Sequence, residues 1–171
     1  MVSIHVDVDN LWMYEAEYGV AFGRSPDILF SHDLPRALDL LAQHDARATF
    51  FIVGRDLELP AAQQFCRDAI RRGHAMANHT FTHPIAFASL SYAEKRREIV
   101  RCHEALVAVT GQRPIGFRSP GYYVDRDVVT ILLELGYRYD SSVLPGPATL
   151  FMRAYARLQG KRTSGKTYGR P

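Results

Sequence analysis

Residues 2–9 alternate between apolar side chains at even positions and polar side chains at odd positions, ending in Asp7 and Asp9. A period of two is typical of a strand with one apolar and one polar face. Residues 10–32 contain aromatic residues and glycines without a clear period. This stretch is predicted to form a long aromatic loop, and long loops in compact domains are often functional.

The rest of the chain alternates between helical and strand patterns. One predicted helix begins at a cap residue Asp33, and a second ends at Gly73. Two further helices begin at the Ser91 capping box and at a cap residue Asp125. The four further strands are predicted at residues 48–53, 75–78, 115–118 and 137–139. Such alternation predicts an α/β fold with a parallel sheet, either open or closed into a barrel.

The charge distribution divides the chain into two parts. The sequence has 171 residues, 47% of them hydrophobic, and a pI of about 9.0. Six basic residues and no acidic residue lie in the last nineteen positions: Arg153, Arg157, Lys161, Arg162, Lys166 and Arg170. We therefore expect one domain over residues 1–150 and a basic segment over 151–171, and the pattern does not indicate nucleic-acid binding.

Hydropathy bears on where the protein resides. No run of residues approaches the roughly 20 apolar residues of a membrane span, and the first residues alternate where a signal peptide has a charged start and an apolar stretch. The chain as given is therefore expected to be cytoplasmic, unless an export signal lay upstream. The sequence does not indicate an oligomeric state.

Polar residues follow the predicted strands at their carboxyl ends, where parallel α/β folds collect functional groups. They are Asp7, Asp9, His79, His83, Arg118 and Asp140. Asp7 and Asp9 are two residues apart, so their Cα atoms lie about 6.6 Å apart on the same side of a strand. Pro84 disfavours helical geometry at His83, which places both histidines on a loop.

Histidine and carboxylate together suit zinc, cobalt, iron or another first-row transition ion. An isolated Asp-x-Asp or His-x-x-x-His pair is more often an ordinary loop or surface feature. The combination of the two pairs predicts a metal site. His5 shares the face of the aspartates but lies deeper in the strand, where we expect a hydrogen-bonded core histidine.

Four motifs in order resemble the polysaccharide deacetylases of the NodB-homology type: Asp7-Val-Asp9, His79-Thr-Phe-Thr-His83-Pro84, Arg118-Ser-Pro-Gly and Tyr139-Asp140-Ser-Ser. The resemblance runs from residue 2 to about residue 147. It implies a distorted (β/α) barrel and hydrolytic removal of N- or O-acetyl groups from a carbohydrate. It further implies a divalent metal, Zn²⁺ ahead of Co²⁺, Ni²⁺ or Fe²⁺, held by Asp9, His79 and His83.

The resemblance also assigns roles to the remaining motif residues. Asp7 would be the general base, and Arg118 would hold it ionised and oriented. Asp140 matches the residue that partners a late catalytic histidine. Pro120, Gly121 and Tyr122 would contact the substrate, with Tyr122 offering a donor to the developing oxyanion.

Two features depart from the family pattern. Val8 separates the two aspartates, which are adjacent in the common form of the motif. No histidine follows His103, so the late Leu-x-His motif that supplies the general acid has no counterpart. We therefore expect a barrel that is incomplete or open at its C-terminal end.

Three other functions are compatible with these residues. A related hydrolase of small amides or cyclic ureides would use the same metal and base. A carbohydrate-binding pseudoenzyme would fit a site without a general acid. A non-heme iron oxygenase also uses two histidines and one carboxylate, although Asp7 and Arg118 suit hydrolysis better.

Overall fold

Strands and helices alternate along the part of the chain that the structure, a computed structural model, describes: residues 3–19, 21, 23, 25 and 27–143. The strands are β1 (Ile4–Val8), β2 (Ala48–Ile52), β3 (Ala75–Asn78), β4 (Gly116–Phe117) and β5 (Tyr139–Asp140). The α-helices are α1 (Leu11–Tyr18), α2 (Leu34–Gln43), α3 (Pro60–Arg71), α4 (Tyr92–Thr110) and α5 (Arg126–Glu134).

The described strands form one parallel sheet in the order β1-β2-β3-β4-β5. Each strand therefore lies next to the one that precedes it along the chain. A doubly wound open sheet reverses its strand order at a switch point, whereas a (β/α) barrel adds strands in sequence. The described topology follows the barrel order, and β1 and β5 are the outer strands of the described sheet.

The two faces of the sheet have different environments. Val8, Phe50 and Ile52 point into a buried core formed with α2, α3 and α4. Asp7 is paired in register with Phe51 on the opposite face, where Phe51 is fully buried. We call this second face, which carries His5, Asp7, Phe51 and Arg118, the site face.

The prediction of a loop over residues 10–32 was wrong for its first part. Residues 11–18 form α1, which begins at Asn10 and ends at Gly19, whose φ of 65° is the left-handed conformation that favours glycine. Met13 is buried, while Trp12 bonds the carboxylate of Asp56. Because the helix contacts both apolar and polar groups, it has no apolar stripe for the sequence to reveal.

Two further expectations needed correction. The side chain of Asp33 makes no capping bond to α2, because a π-helical turn over Leu29–Asp33 already leads into that helix. The last strand begins at Tyr139, because the Tyr137 backbone N–H still bonds the carbonyl of Leu132 at the end of α5. The fourth strand, β4, is also shorter than the predicted 115–118.

Residues 144–171 lie outside the described residues, and so does the predicted basic segment over 151–171. Among the described helices, none combines the length and the apolar character that crossing a membrane requires.

Candidate active site

Asp9, His79 and His83 converge just past the carboxyl ends of β1 and β3. One ligand atom from each of the three lies within 4.8 Å of the other two. The distances from Asp9 Oδ1 to Nε2 of His79 and of His83 are 3.5 and 3.7 Å. Both are longer than an ordinary hydrogen bond. The three side chains therefore surround a common point without being closely bonded to one another.

The hydrogen bonds around this group suit a cation. His79 Nδ1 lies 2.6 Å from the carbonyl oxygen of Arg118, so this nitrogen carries the proton and donates. Nε2 of His79 is then left with its lone pair directed toward Asp9. Asp9 Oδ1 is buried and has no hydrogen-bond partner. A histidine fixed by a backbone carbonyl and an unpartnered carboxylate oxygen are typical of metal ligands.

Burial and the neighbouring side chains shift the pKa values of Asp9 and His83. Burial opposes ionisation of Asp9, but the imidazoles of His79 and His83 and the phenol of Tyr14 outweigh it and lower the pKa of Asp9. The pKa of His83 is lowered by burial first and by His79 second. A carboxylate and a neutral imidazole are the forms that bind metals.

Asp7 lies on the site face, two residues before Asp9, and has different hydrogen-bond partners. Arg118 Nη1 donates to Asp7 Oδ1 at 2.5 Å, and the Tyr122 hydroxyl donates to Oδ2 at 3.2 Å. Both carboxylate oxygens therefore accept a bond. Arg118 is 9% exposed, and its guanidinium lies 4.2 Å from the ring centroid of Phe51.

Arg118 is held by further bonds on its other edges. Nε donates to the Ser141 carbonyl at 3.0 Å, and Nη2 donates to Ser141 Oγ at 2.7 Å and to His5 Nδ1 at 3.0 Å. His5 is hydrogen-bonded as expected. The expectation that it lies in the core was wrong, because its side chain is exposed on the site face.

The loop that carries the two histidines is anchored to α4 by Glu98. Its Oε2 accepts the backbone N–H groups of Phe81 and Thr82 at 3.0 and 2.7 Å, and its Oε1 accepts the Thr82 hydroxyl at 3.0 Å. His83 itself has a φ of 50°, in the left-handed region. Sequence reasoning missed Glu98, because a glutamate in the middle of a helix resembles any solvated surface acid.

Asp56 is a second residue that the sequence did not single out. It is 2% exposed, and its Oδ1 accepts bonds from Asn10 and Trp12 at 3.0 and 2.7 Å. Burial raises its pKa, and the charge of Asp9 acts in the same direction. Asp56 thus ties α1 to the turn that follows β2. No local motif marks it, since its partners are 46 and 44 residues away.

The predicted substrate-binding turn of Pro120, Gly121 and Tyr122 begins two residues after Arg118. Gly121 and Tyr122 have φ values of 65° and 54°. This conformation directs the Tyr122 hydroxyl to Asp7. Burial, followed by the charge of Asp7, raises the pKa of Tyr122. Pro120 and Gly121 line a small cavity of about 160 Å³ with Ile85.

Asp140 points to a different face of the sheet from Arg118, although the charge of Arg118 still acts on its carboxylate. It is paired in register with Phe117, so it lies on the face opposite to Arg118. Its carboxylate accepts the Ser142 hydroxyl at 2.6 Å and the Ser142 N–H at 3.2 Å. Burial raises its pKa. Its role as partner of a general acid stays a prediction.

A cavity of about 240 Å³ opens beside Asp9 and His83. Its wall is mostly apolar and aromatic, formed by α1 and by the residues on both sides of His83: Trp12, Met13, Tyr14, Ala16, Thr82, Pro84 and Ile85. Ile85 is 62% exposed, so an apolar surface continues from the cavity to solvent. The cavity gives a ligand access to the three converging side chains.

The sequential parallel sheet, with acid, imidazole and guanidinium groups at its carboxyl ends, defines an α/β protein wound like a (β/α) barrel. The sequence profile of the polysaccharide deacetylase family matches residues 20–139. The chain belongs to the polysaccharide deacetylase family.

Individual relatives agree with this assignment. A peptidoglycan-N-acetylglucosamine deacetylase of Bacillus cereus is 33% identical over 106 residues, which cover 62% of this chain and 36% of that protein. A putative polysaccharide deacetylase structure from Mycobacterium smegmatis matches with a TM-score of 0.71 and 25% identity over 83% of this chain and 50% of that chain. A CE4 family pseudoenzyme from Bacillus anthracis matches with a TM-score of 0.63 and 26% identity over 82% and 42%. The chain therefore spans half or less of the length of these relatives.

Proposed function

We propose that this protein is a metal-dependent hydrolase that removes N- or O-acetyl groups from a glycan or glycan precursor. The observation that carries the proposal is the buried, unpartnered Oδ1 of Asp9, which faces the two imidazoles beside the Arg118–Asp7 pair. The first group suits a cation, and the second suits a general base. Together they can activate water for the hydrolysis of an amide or ester.

Asp9, His79 and His83 would hold the metal. One carboxylate and two imidazoles suit Zn²⁺, with Co²⁺, Ni²⁺ and Fe²⁺ as further possibilities. When bound, such an ion lowers the pKa of water toward about 7 and polarises a carbonyl group. The cavity wall beside this position, from Trp12 to Ile85, is mostly apolar.

Asp7 would remove the proton from the attacking water. Each of its oxygens accepts one bond, from Arg118 or from Tyr122, and keeps a second lone pair that can accept this proton. Arg118 holds the first oxygen of Asp7 in place through its hydrogen bond. Tyr122 fixes the second oxygen and so orients the plane of the carboxylate.

The substrate would be an acetylated amino sugar polymer or a fragment of one. The Bacillus cereus relative is named for peptidoglycan N-acetylglucosamine. Trp12 and Tyr14 present aromatic rings in the cavity next to Asp9. Aromatic rings with a polar edge suit the mixed apolar and hydroxylated surface of a sugar. The acetyl group would lie toward His83, and the sugar toward α1.

Acetate release tests this proposal. Chitin oligomers and peptidoglycan fragments are incubated with the protein after metal removal and after reloading with Zn²⁺ or Co²⁺, with Asp7→Asn as the matched control. We expect release only from the reloaded wild type. Hydrolysis of small amides or ureides in place of glycans would support the related amidohydrolase.

A carbohydrate-binding pseudoenzyme is the second candidate, favoured by the likeness to the Bacillus anthracis pseudoenzyme. It would bind the same oligomers without releasing acetate. Calorimetric binding of oligomers by a metal-loaded protein that releases no acetate would establish this candidate and overturn the proposed activity.

A further inference from the structure

His5 contacts the pair formed by Arg118 and the proposed general base Asp7, on the side away from Asp9, His79 and His83. It lies on β1, two residues before Asp7, and its ring packs edge-on against Phe51 at 5.4 Å and stacks near Tyr139 at 6.5 Å between centroids. Nε2 of its ring lies 2.9 Å from Ser3 Oγ, and Nδ1 lies 3.0 Å from Arg118 Nη2 and 3.2 Å from Ser141 Oγ.

The contact with Arg118 fixes the tautomer of His5. A guanidinium nitrogen can only donate, so Nδ1 of His5 must accept. The proton of the neutral ring is then on Nε2, which donates to Ser3 Oγ. His5 accepts a bond from Arg118 only while Nδ1 remains unprotonated.

The guanidinium of Arg118 is planar, so bonds on its other edges determine where Nη1 points. Ser141 accepts from Nε and from Nη2, and His5 accepts from Nη2. Nη1 is thereby directed to Asp7. We propose that His5 is a positioning residue that orients the Arg118–Asp7 pair as a hydrogen-bond acceptor, an inference that rests on the proposed hydrolase function of that pair.

The proposal carries a dependence on pH. The charged and titratable groups that face His5 are Arg118 directly after β4, Asp7 from its own strand and Tyr139 from β5, while Phe51 from β2 is neutral. Burial and then Arg118 lower the pKa of His5, and Asp7 opposes them. His5 is therefore neutral near pH 7 and becomes protonated only in more acidic solution. Protonation removes the acceptor and sets two cations against each other.

Two variants separate the hydrogen bond from the packing. In His5→Asn, the side-chain oxygen can take the place of Nδ1 as acceptor but does not titrate. In His5→Phe, the ring contacts with Phe51 and Tyr139 are retained and the acceptor is lost. His44→Asn, at an exposed position directly after α2, is the matched control for loss of a histidine.

The first readout needs no turnover. The Arg118 Nε–H resonance, assigned with Arg118→Lys, is followed by ¹⁵N NMR against pH in each variant. We expect it to broaden in the wild type as His5 becomes protonated, to persist over the same range in His5→Asn, and to be weak at every pH in His5→Phe. Identical behaviour in all three proteins would overturn the proposal.

The second readout is the pH profile of kcat/KM for acetate release. We expect His5→Phe to lose between about tenfold and about a hundredfold, because a misplaced group far from bond breaking can cost that much. His5→Asn is expected to retain activity further into acid than the wild type. If the protein releases no acetate but the NMR result holds, the proposed function fails and the positioning of Arg118 by His5 stands. Wild-type rates and an unchanged profile in His5→Phe would contradict the inference.

Discussion

Asp7 and Asp9 leave the same strand two residues apart, yet their surroundings are opposite. Both oxygens of Asp7 accept hydrogen bonds, one from a guanidinium and one from a phenol. One oxygen of Asp9 is buried with no hydrogen-bond partner and faces two imidazoles. A buried acceptor without a partner costs about 1–3 kcal/mol. A cation bound at Asp9 would supply such a partner, whereas Asp7 already has its partners within the chain.

This difference separates the two roles. A carboxylate that is held in one orientation and keeps a free lone pair is suited to accept a proton. A carboxylate whose partner is missing, next to nitrogen lone pairs, is suited to hold a cation that supplies the partner. The sequence motif Asp-Val-Asp contains no information that distinguishes the two, since their different partners come from the segments that follow β3 and β4.

The largest expected effect comes from removing the charge of Asp7. Asp7→Asn keeps the size of the side chain and can still accept one bond from Arg118, but it cannot take a proton from water. We expect acetate release to fall by about 10² to 10⁴, the usual contribution of a general base. Metal content, measured by elemental analysis, should remain near that of the wild type.

The reciprocal substitution tests whether the roles are reversed. Asp9→Asn should empty the metal site, because an amide oxygen is a weaker ligand than a carboxylate. A protein that loses metal on Asp7→Asn and keeps it on Asp9→Asn would show that the assignment of the two aspartates is the wrong way round.

The next largest effect, a loss of metal affinity, is expected from substituting the two histidines. Substitution of His79 or His83 by alanine removes one of three ligands, and we expect metal affinity to fall by at least about tenfold. Competition with a chromophoric chelator measures the change, and His44→Ala is the control. Full metal content in the double variant His79→Ala/His83→Ala would exclude this position as the metal site.

The sequence allowed prediction of the parallel α/β fold and of the residues that converge. Alternation marks the first strand, Gly73 and the capping box at Ser91 mark helix ends, and carboxyl ends of parallel strands meet at one edge. Asp9, His79 and His83 could therefore be grouped from their positions along the chain. The same reasoning also included Asp140, which the register places on the other face. A two-residue strand is too short for an alternation pattern to indicate a face.

The supporting residues could not be predicted for a different reason. Glu98 contacts backbone N–H groups 16 and 17 residues away, and Asp56 contacts side chains on α1. Neither contact leaves a periodic signal, because it depends on how two elements pack. α1 was missed because Trp12 and Tyr14 contact polar partners, so the helix does not bury one continuous apolar stripe.

A smaller effect is expected at Glu98, which holds the loop between the two histidines. Glu98→Ala leaves the backbone N–H groups of Phe81 and Thr82 without their acceptor. The distance between His79 and His83 should then vary more. We expect metal affinity to fall by less than about tenfold, at the lower end of outer-shell substitutions. Glu98→Gln, which can still accept through one oxygen, should lie between Ala and wild type.

The control for this variant is Glu104→Ala, at an exposed position on the same helix. It removes an acidic side chain from α4 without touching the histidine loop. If Glu98→Ala changes only the unfolding temperature and leaves the chelator-measured metal affinity unchanged, then Glu98 stabilises the fold and does not position the ligands.

The smallest effect concerns a histidine at the amino-terminal end of the strands, away from the site. His74 is 6% exposed and its Nδ1 accepts the backbone N–H of Ala48 at 3.1 Å, so this contact requires an unprotonated Nδ1. Burial, followed by Arg47 and Arg72, lowers the pKa of His74 below the ordinary 6.5. The unfolded chain therefore binds this proton more readily than the folded one. The stabilisation is present above pH 6.5 and is lost as the pH falls toward the folded pKa.

His74→Asn can keep an acceptor for Ala48 but does not titrate, so its Tm should fall less than that of the wild type between pH 7 and pH 5. One hydrogen bond is worth about 1 kcal/mol, which corresponds to about 2–4 °C for a chain of this size. His44→Asn should follow the wild type, because His44 is exposed. The measurement also isolates acid effects on the fold from those on the site, since His74 contacts none of the metal-ligand residues. Equal acid dependence in His74→Asn and wild type would mean that the Ala48 contact contributes nothing to stability, and that acid acts on the fold through other groups.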